Sequence, residues 1–473
     1  MDISDLREVD ETCNLDWEKA LSQFQNVMVS GTMGMQIKAM IMLAHQSKHA
    51  PESVLSRIIP HLTGILGDYQ SNQSSGFSLQ KASAYCLKCI ASRGDGELAM
   101  EIGRHGAATS LLRWLSHSDG EFQEVLIKCL LVVVTFSNRS RAAVASSGGL
   151  EIIISLLDLC TDDDIRLYLL EILSALALLK DVRRALARFG GLHLLVEAAS
   201  SGTMVSRERA CQAIGLLGVP RRSRRMLIEI GVIPVLVELL SEGDETTKLV
   251  AGNALGVISA HVDYIRPVAQ AGVISLYAEL LQGLERTGKD IAEDVFCILA
   301  VAEENAIEIV GHLVRILREG DEESKASAAE VMWDLSGYKH SASVIQESGA
   351  IPILIELLRS ETEEVRQNVS GACAQLSYEE ADRMALAEAG AIPILIDMML
   401  HDELEDVRDN AAEALINFAG DPLYNNRVSD AISFPSFREI QNRITFIRAS
   451  NEHMARSMRR MSDWQLTWNP DHV

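Results

Sequence analysis

The sequence predicts an all-α solenoid of about nine repeats, and three observations carry that reading. First, a ten-residue phrase recurs: GGLEIIISLL from Gly148, GGLHLLVEAA from Gly190, GVIPVLVELL from Gly231, GVISLYAELL from Gly272, GAIPILIELL from Gly349 and GAIPILIDMM from Gly390. The starts lie 42, 41, 41, 77 and 41 residues apart, and an eroded copy, EIVGHLVRIL from Glu308, divides the long gap into 36 and 41. A weaker copy, GAATSLLRWL, begins at Gly106. Helix periodicity alone cannot produce a period near 41, so the phrase marks a supersecondary unit that buries its core against its neighbours. Second, apolar residues between the phrases fall at helical spacing, and no strand-like alternation is evident. Third, 473 residues are too many for one ordinary core.

In chain order, residues 1–13 are acidic and polar, and a disordered segment is expected there. Trp17, Leu21, Phe24 and Met28 predict a helix over 16–28, and a second is expected over 35–44. This pair, within residues 14–51, reads as an N-terminal cap whose outer face should be polar, because nothing stacks beyond it. Repeats are expected over 52–420. The first, 51–91, is interrupted by the loop SNQSSG at 71–76; others occupy 97–135, 139–179, 181–218, 222–259, 263–300, 304–336, 340–377 and 381–419.

Each repeat reads as three helices: a short one running up to the Gly, a second starting after it, and a longer Ala-rich third such as EDVRDNAAEALINFA (405–419). Gly tolerates the left-handed backbone that ends a helix. Pro234, Pro352 and Pro393 fit a first helical turn, where the missing N–H is not needed. Small residues such as Ala251, Gly252 and Ala254 let neighbouring third helices approach closely, and polar clusters, SEGD (241–244) and SETEE (360–364), separate second from third helices. Residues 421–473 are expected to hold a turn and linker, DPLYNN, then a basic amphipathic helix over 436–461 and a short tail.

The unit G-x-I-P-x-L-x-x-L-L, with V-R-x-x-A-A-x-A-L-x-N-x-A after it, resembles the armadillo repeat across residues 52–420. HEAT repeats, the nearest rival, usually have two helices and lack the Gly-Ile-Pro corner. The resemblance is nearest to plant and fungal armadillo-only proteins, and distant from importin-α and β-catenin. It implies a right-handed superhelical solenoid and a non-enzymatic adaptor or scaffold, binding extended peptides or whole domains along a groove lined by the third helices. In importin-α, Asn residues near the end of each third helix clamp the peptide backbone, with Trp one turn earlier. At the position of Asn417 this chain has Cys89, Val132, Ala175, Leu216, Val257, Ile298, Asp334 and Gln375. The last three repeats alone keep a polar side chain there, and none has the matching Trp. Asp334, Gln375 and Asn417 are therefore candidate partner contacts, and a nuclear-transport-type peptide adaptor is a second reading. A basic importin-β-binding segment and a U-box are not recognisable, and Asp2 excludes N-myristoylation. Peripheral membrane or vesicle tethering is a third reading.

Net charge is −23, which argues against nucleic acid as a partner. Residues 281–420 hold 29 Asp+Glu against 10 Lys+Arg, so most of the excess lies there. No apolar run is long enough to cross a bilayer. Eight Cys, mostly within apolar helical patterns, suit a reducing compartment, and a cytoplasmic location, with the nucleus as a second one, is expected. Cys86 and Cys89 form an isolated C-x-x-C that reads as two core residues on one helix. His residues are scattered and paired carboxylates such as Glu303–Glu304 sit on solvated faces, so no catalytic residue, metal site or cofactor is expected.

Two cationic ladders run through the repeats. Arg166, Arg207, Lys248, Lys289, Lys325, Arg366 and Arg408 begin successive third helices, and the expected role is structural, with stems covering the repeat junctions. The second comprises Arg141, Arg183 and Arg224 at the start of first helices, with Arg184, Arg225 and Arg266 one residue later. Residues 183–225 contain nine Arg and two acids, Glu197 and Glu208. Guanidinium forks grip carboxylate or phosphate in two places, so an acidic or phosphorylated peptide, or an anionic membrane surface, is the expected ligand, against a solvated edge as the alternative. In the C-terminal helix, Arg438, Arg443, Arg448, Arg456, Arg459 and Arg460 outnumber Glu439 and Glu452. That helix is expected to cap the last repeat, with docking in the acidic groove as the alternative. Ser462, after Arg459-Arg460-Met461, resembles a basophilic kinase site, where phosphate would lower the positive charge.

Overall fold

The corner phrase accounts for the local architecture. In the computed structural model, which describes residues 16–68, 77–435, 437, 438 and 440–443, Gly231 has φ 91° and separates the helices Arg221–Ile230 and Val232–Glu242. A Cβ there would strain the backbone, so Gly at this position lets one helix stop and the next begin within a residue. Gly148, Gly190, Gly272, Gly349 and Gly390 have the same left-handed backbone. Beyond the corner, Leu236, Leu239 and Leu240 are buried. Each such side chain contributes ~1.5–3 kcal/mol relative to exposure, so the second helix is the hydrophobic keel of its repeat. Asp244 then accepts from the Thr247 backbone N–H at 2.9 Å and starts the helix Glu245–Ser259, which gives the SEGD cluster its physical role.

Among the described residues every regular element is helical, and no single helix is long and apolar enough to cross a membrane. The chain divides into two compact units, Met1–Ala254 and Leu255–Val473. In the first unit, helices Trp17–Ser30 and Met33–Gln46 precede the repeats. Their surface is not the polar face expected of a cap: Val29, Met35 and Met42 are exposed at 86%, 53% and 52%. The stretch MGMQIKAMIM has apolar residues all round, and a helix with one packed face cannot bury them all. The first repeat has two helices, Glu52–Gly67 and Phe77–Ala91; Trp114 of the second repeat donates from Nε1 to the Leu66 carbonyl at 2.7 Å. Cys86 is fully buried, its thiol pushed up by burial first and by Cys89 second, in keeping with a core residue. Third helices meet through small residues: a Cβ built at Gly215 would lie 3.3 Å from that of Ala254.

In the second unit, three-helix repeats flank one that corrects the three-helix expectation. Glu303–Glu319 is continuous over 17 residues and leads directly into Glu322–Ser336. Glu308 occupies the corner where other repeats have Gly, and Gly311 stands where Pro would open the second helix. With neither residue to break it, the backbone runs on as one helix. After the last third helix, Glu405–Ala419, the turn DPLYNN leads into Asn425–Ile432.

Candidate functional site

Third helices in the second unit pack in succession: Arg286–Leu299, Glu322–Ser336, Glu363–Leu376 and Glu405–Ala419. Between the first three lies a polar cavity of about 450 Å³, lined by the acids Asp290, Glu293, Glu323, Glu330 and Glu364, by Gln367 and Asn368, and by the cations Arg286 and Lys289, the latter paired with Glu323. Spacing along the helix brings these side chains to one face. Polar contacts tie helix to helix across it. Asn368 Nδ2 donates to the Ala326 carbonyl at 3.0 Å, Gln367 Nε2 to Asp406 Oδ2 at 3.3 Å, and Asn410 Nδ2 to the Gln367 carbonyl at 3.3 Å and Ser370 Oγ at 3.1 Å.

The electrostatics of this groove are lopsided. Glu293 is pushed up to about 8, first by burial, then by the negative charge of Glu330, by a hydrogen bond with Asp334 and by the charges of Asp334 and Asp294. Glu330 is raised by burial and by Asp334, with Arg286 pulling the other way. The Cys297 thiol lies 3.8 Å from Asp334 Oδ2 and is pushed up to about 12 by burial and these same carboxylates. Crowded carboxylates that cannot all ionise hold a proton near neutral pH, and a cation placed among them would release it.

Trp333 adds an aromatic surface that the repeat register in the sequence does not reveal. A Cβ built at Gly371 would lie 2.3 Å from Cε2, 2.4 Å from Cδ2 and 2.7 Å from Cζ2 of Trp333, so the indole lies directly on the glycine. Gly371 is one turn before Gln375, the position where a matching Trp is absent from the sequence. The ring arrives from the neighbouring helix because the missing side chain leaves room. A Trp with a third-helix Gly 38 residues later was the only available signal, and it is not a periodic one. Of the candidates on the third helices, Asp334 joins the carboxylate cluster, Asn417 donates from Nδ2 to Ser377 Oγ at 2.8 Å, and Gln375 is partly buried on the helix between them.

The second cationic ladder separates into two kinds of residue. Arg141 donates from Nε to the Val134 carbonyl at 2.8 Å, Arg183 from NH1 to those of Ala177 and Leu178 at 2.9 and 2.7 Å, and Arg224 from Nε to that of Gly218 at 2.7 Å. These guanidinium groups close the carbonyl ends of the preceding third helices, which have no intrahelical partner of their own. Arg383, not singled out by sequence, does the same to Ser377 and Tyr378 at 2.9 and 2.7 Å. Burial lowers the pKa of Arg141 and Arg183 from the ordinary arginine value, with Arg209 adding to the effect at Arg141. Arg184 and Arg225 face outward at 60% and 75% side-chain exposure, paired with Asp181 at 3.6 Å and Glu229 at 2.9 Å on their own helices. Arg266 belongs to the second unit, where its Nε pairs with Glu304. Sequence spacing therefore put inward caps and outward charges into one set, because adjacent positions on a helix point about 100° apart.

Two members of the first ladder, Arg166 and Arg366, act in the same way. Arg166 donates to the Leu157 carbonyl at 2.7 Å and pairs with Glu197; Arg366 donates to the Ser360 carbonyl at 2.9 Å and pairs with Asp402 at 3.0 Å. At the C-terminal end, Phe437 and Ile440 are buried and Arg443 pairs with both Glu405 and Asp409. This start of the basic segment docks on the last third helix. Ser462 and the rest of the segment from residue 444 lie outside the described residues.

A family profile for HEAT repeats matches residues 310–416, a span that opens within the two-helix repeat. No curated protein matches the chain in sequence. Among solved structures, an engineered protein from a structural genomics consortium is similar at 23% identity and a TM-score of 0.63, covering 84% of this chain and 98% of that one. A structure from work on a conserved phosphorylation switch controlling the interaction between cadherin and β-catenin is similar at 16% identity and a TM-score of 0.62, covering 89% and 86%. With the Gly corner and the three-helix unit, these likenesses decide the fold. The chain has an armadillo-like repeat fold. A designed armadillo repeat protein also matches at 24% identity over 48% of this chain, with a TM-score of 0.37. Armadillo-like and HEAT folds are typical of protein-binding scaffolds and typically non-enzymatic.

Proposed function

We propose that this armadillo-like protein is a non-enzymatic adaptor whose second unit binds an extended, cationic segment of a partner protein. The observation that carries the reading is the cluster of Glu293, Glu330 and Asp334 on facing third helices, where burial first and repulsion between carboxylates second raise Glu293 and Glu330. A Lys or Arg side chain entering there relieves that repulsion, and the Trp333 ring, on the same helix as Glu330 and Asp334, offers an apolar and cation–π contact. Helices tied together by Gln367, Asn368 and Asn410 form a floor that needs little ordering on binding. In the first unit the outward Arg184 and Arg225 support the alternative of an acidic or phosphorylated peptide, whereas Arg141, Arg183 and Arg224 serve helix ends.

Fluorescence anisotropy with a labelled octa-arginine peptide and a labelled octa-glutamate peptide tests the reading. Octa-arginine is expected to bind in a salt-dependent way, and E293Q/E330Q/D334N is expected to weaken it by about tenfold or more, the scale of ~1.4 kcal/mol. The control E347Q/E388Q/D397N replaces the same number of carboxyl groups on first and second helices, with both triples compared at pH 9, where Glu293 too is ionised. Equal weakening by both triples would reduce the effect to net charge and overturn the proposal.

A further inference from the structure

Arg443 is the last described residue, and it sits at one end of the acidic groove. It pairs with Glu405 and Asp409 at the start of the last third helix, while Phe437 and Ile440 are buried. Asp409 shares its register with Gln367 and Asp290, which line the polar cavity one and three third helices earlier in the same unit. The last two third helices also touch here, since Gln367 reaches Asp406. The chain thus leaves its anchor on the third helix that follows those lining the cavity, where Asp290, Glu293, Glu330 and Glu364 lie, and residues 444–461 bear the opposite charge. They carry Arg448, Arg456, Arg459 and Arg460 against the single acid Glu452.

Reach permits occupation of the groove. From Glu405–Ala419 back to Arg286–Leu299 there are three helix-to-helix steps, about 30 Å at the usual interaxial spacing. The 17 residues from Arg443 to Arg460 span about 26 Å as a helix and up to ~56 Å when extended. The extended form is long enough to bring Arg456, Arg459 and Arg460 to Glu330 and Glu293, and the helical form is long enough to reach Glu330, two steps away. A tethered segment of this length has an effective concentration of the order of millimolar. If the free segment binds with a Kd of about 0.1 mM, the tether weakens a competing ligand about tenfold.

We infer that the segment 444–461 is an intramolecular ligand of the second unit's acidic groove, anchored by Arg443 and competing with the partner's cationic segment. The inference rests on the proposed groove function and adds a regulator to it. It commits to this chain's own segment because the anchor is already docked on the adjoining third helix and the charges are complementary.

The test compares octa-arginine binding to the full chain, to the full chain with R448E/R456E/R459E/R460E, and to a chain ending at residue 443. Both altered forms are expected to bind about tenfold more tightly than the full chain. In parallel, a photo-crosslinking residue at position 456 of the full chain is expected to join the helices Glu322–Ser336 or Glu363–Leu376. Equal affinity of all three forms, or cross-links confined to other surfaces, would overturn the inference and leave the groove reading standing. Absence of probe binding to every form would overturn the groove reading and this inference with it.

Discussion

Gly371 and Trp333 form a contact whose energetic sign can be worked out and reversed. In Gly371→Ala the new methyl would sit 2.3–2.7 Å from three indole atoms of Trp333, whereas ordinary contact begins near 3.4 Å. The ring must retreat by about 1 Å, and overpacking of this kind costs ~1–3 kcal/mol. Alanine is the better helix former by ~1 kcal/mol, which offsets part of that cost. The net expectation is destabilisation of the order of 1 kcal/mol, with the ring displaced toward the groove. In a Trp333→Ala background the obstacle is gone, so the same Gly→Ala change should stabilise by up to ~1 kcal/mol. The coupling between the two positions is therefore about 2 kcal/mol, large for neighbours and readable in a double-mutant cycle. Local hydrogen exchange of the helices Glu322–Ser336 and Glu363–Leu376 is the suitable assay, because a two-unit chain need not unfold in one step. A stabilising Gly371→Ala in the unaltered background would refute the assigned contact.

The same geometry sets three further outcomes. Arg224→Met removes two charge-assisted bonds to the Gly218 and Val219 carbonyls and should destabilise by ~1.5–3 kcal/mol, whereas Arg225→Met should cost under ~1 kcal/mol; thermal shifts of the two variants compare them directly. Trp114→Phe forfeits the buried Nε1 bond to the Leu66 carbonyl and should cost ~1–2 kcal/mol, measured by hydrogen exchange of the helix Glu52–Gly67. Octa-arginine affinity should rise as pH increases from 6 to 8 and flatten above, because Glu293 holds its proton up to about 8 in the free groove and releases it to a cation. Since that folded value lies above the carboxylate's unfolded one, the same group makes the fold less stable as pH rises across that window. Glu293→Gln should reduce both slopes, and an unchanged pH profile would remove Glu293 from the account.

How much was legible in the sequence depends on whether a residue acts within its own repeat or across to the next. The corner at Gly231 and the buried Leu236 could be read because a local backbone demand and a helical period both repeat in the letters. The loss of the corner at Glu308 was visible as an eroded phrase, yet its consequence, one helix of 17 residues, required knowing that nothing nearby breaks the backbone. Arg183 and Arg184 differ by one position and were indistinguishable as charges. Direction on the helix separates them into a carbonyl cap and an exposed side chain. Trp333 carries no groove signature in the sequence because its partner, Gly371, is in the next repeat.

The sequence by itself determined the repeat, the helical class, the Gly corner and the acidic excess of residues 281–420, since all four are properties of spacing and composition along one chain. Tertiary structure alone decided which acids crowd together, which arginines close helix ends and where the indole of Trp333 lies. Those outcomes depend on distances between third helices about 40 residues apart in sequence, and electrostatic repulsion and van der Waals contact change steeply over a few ångströms that the order of residues does not encode directly.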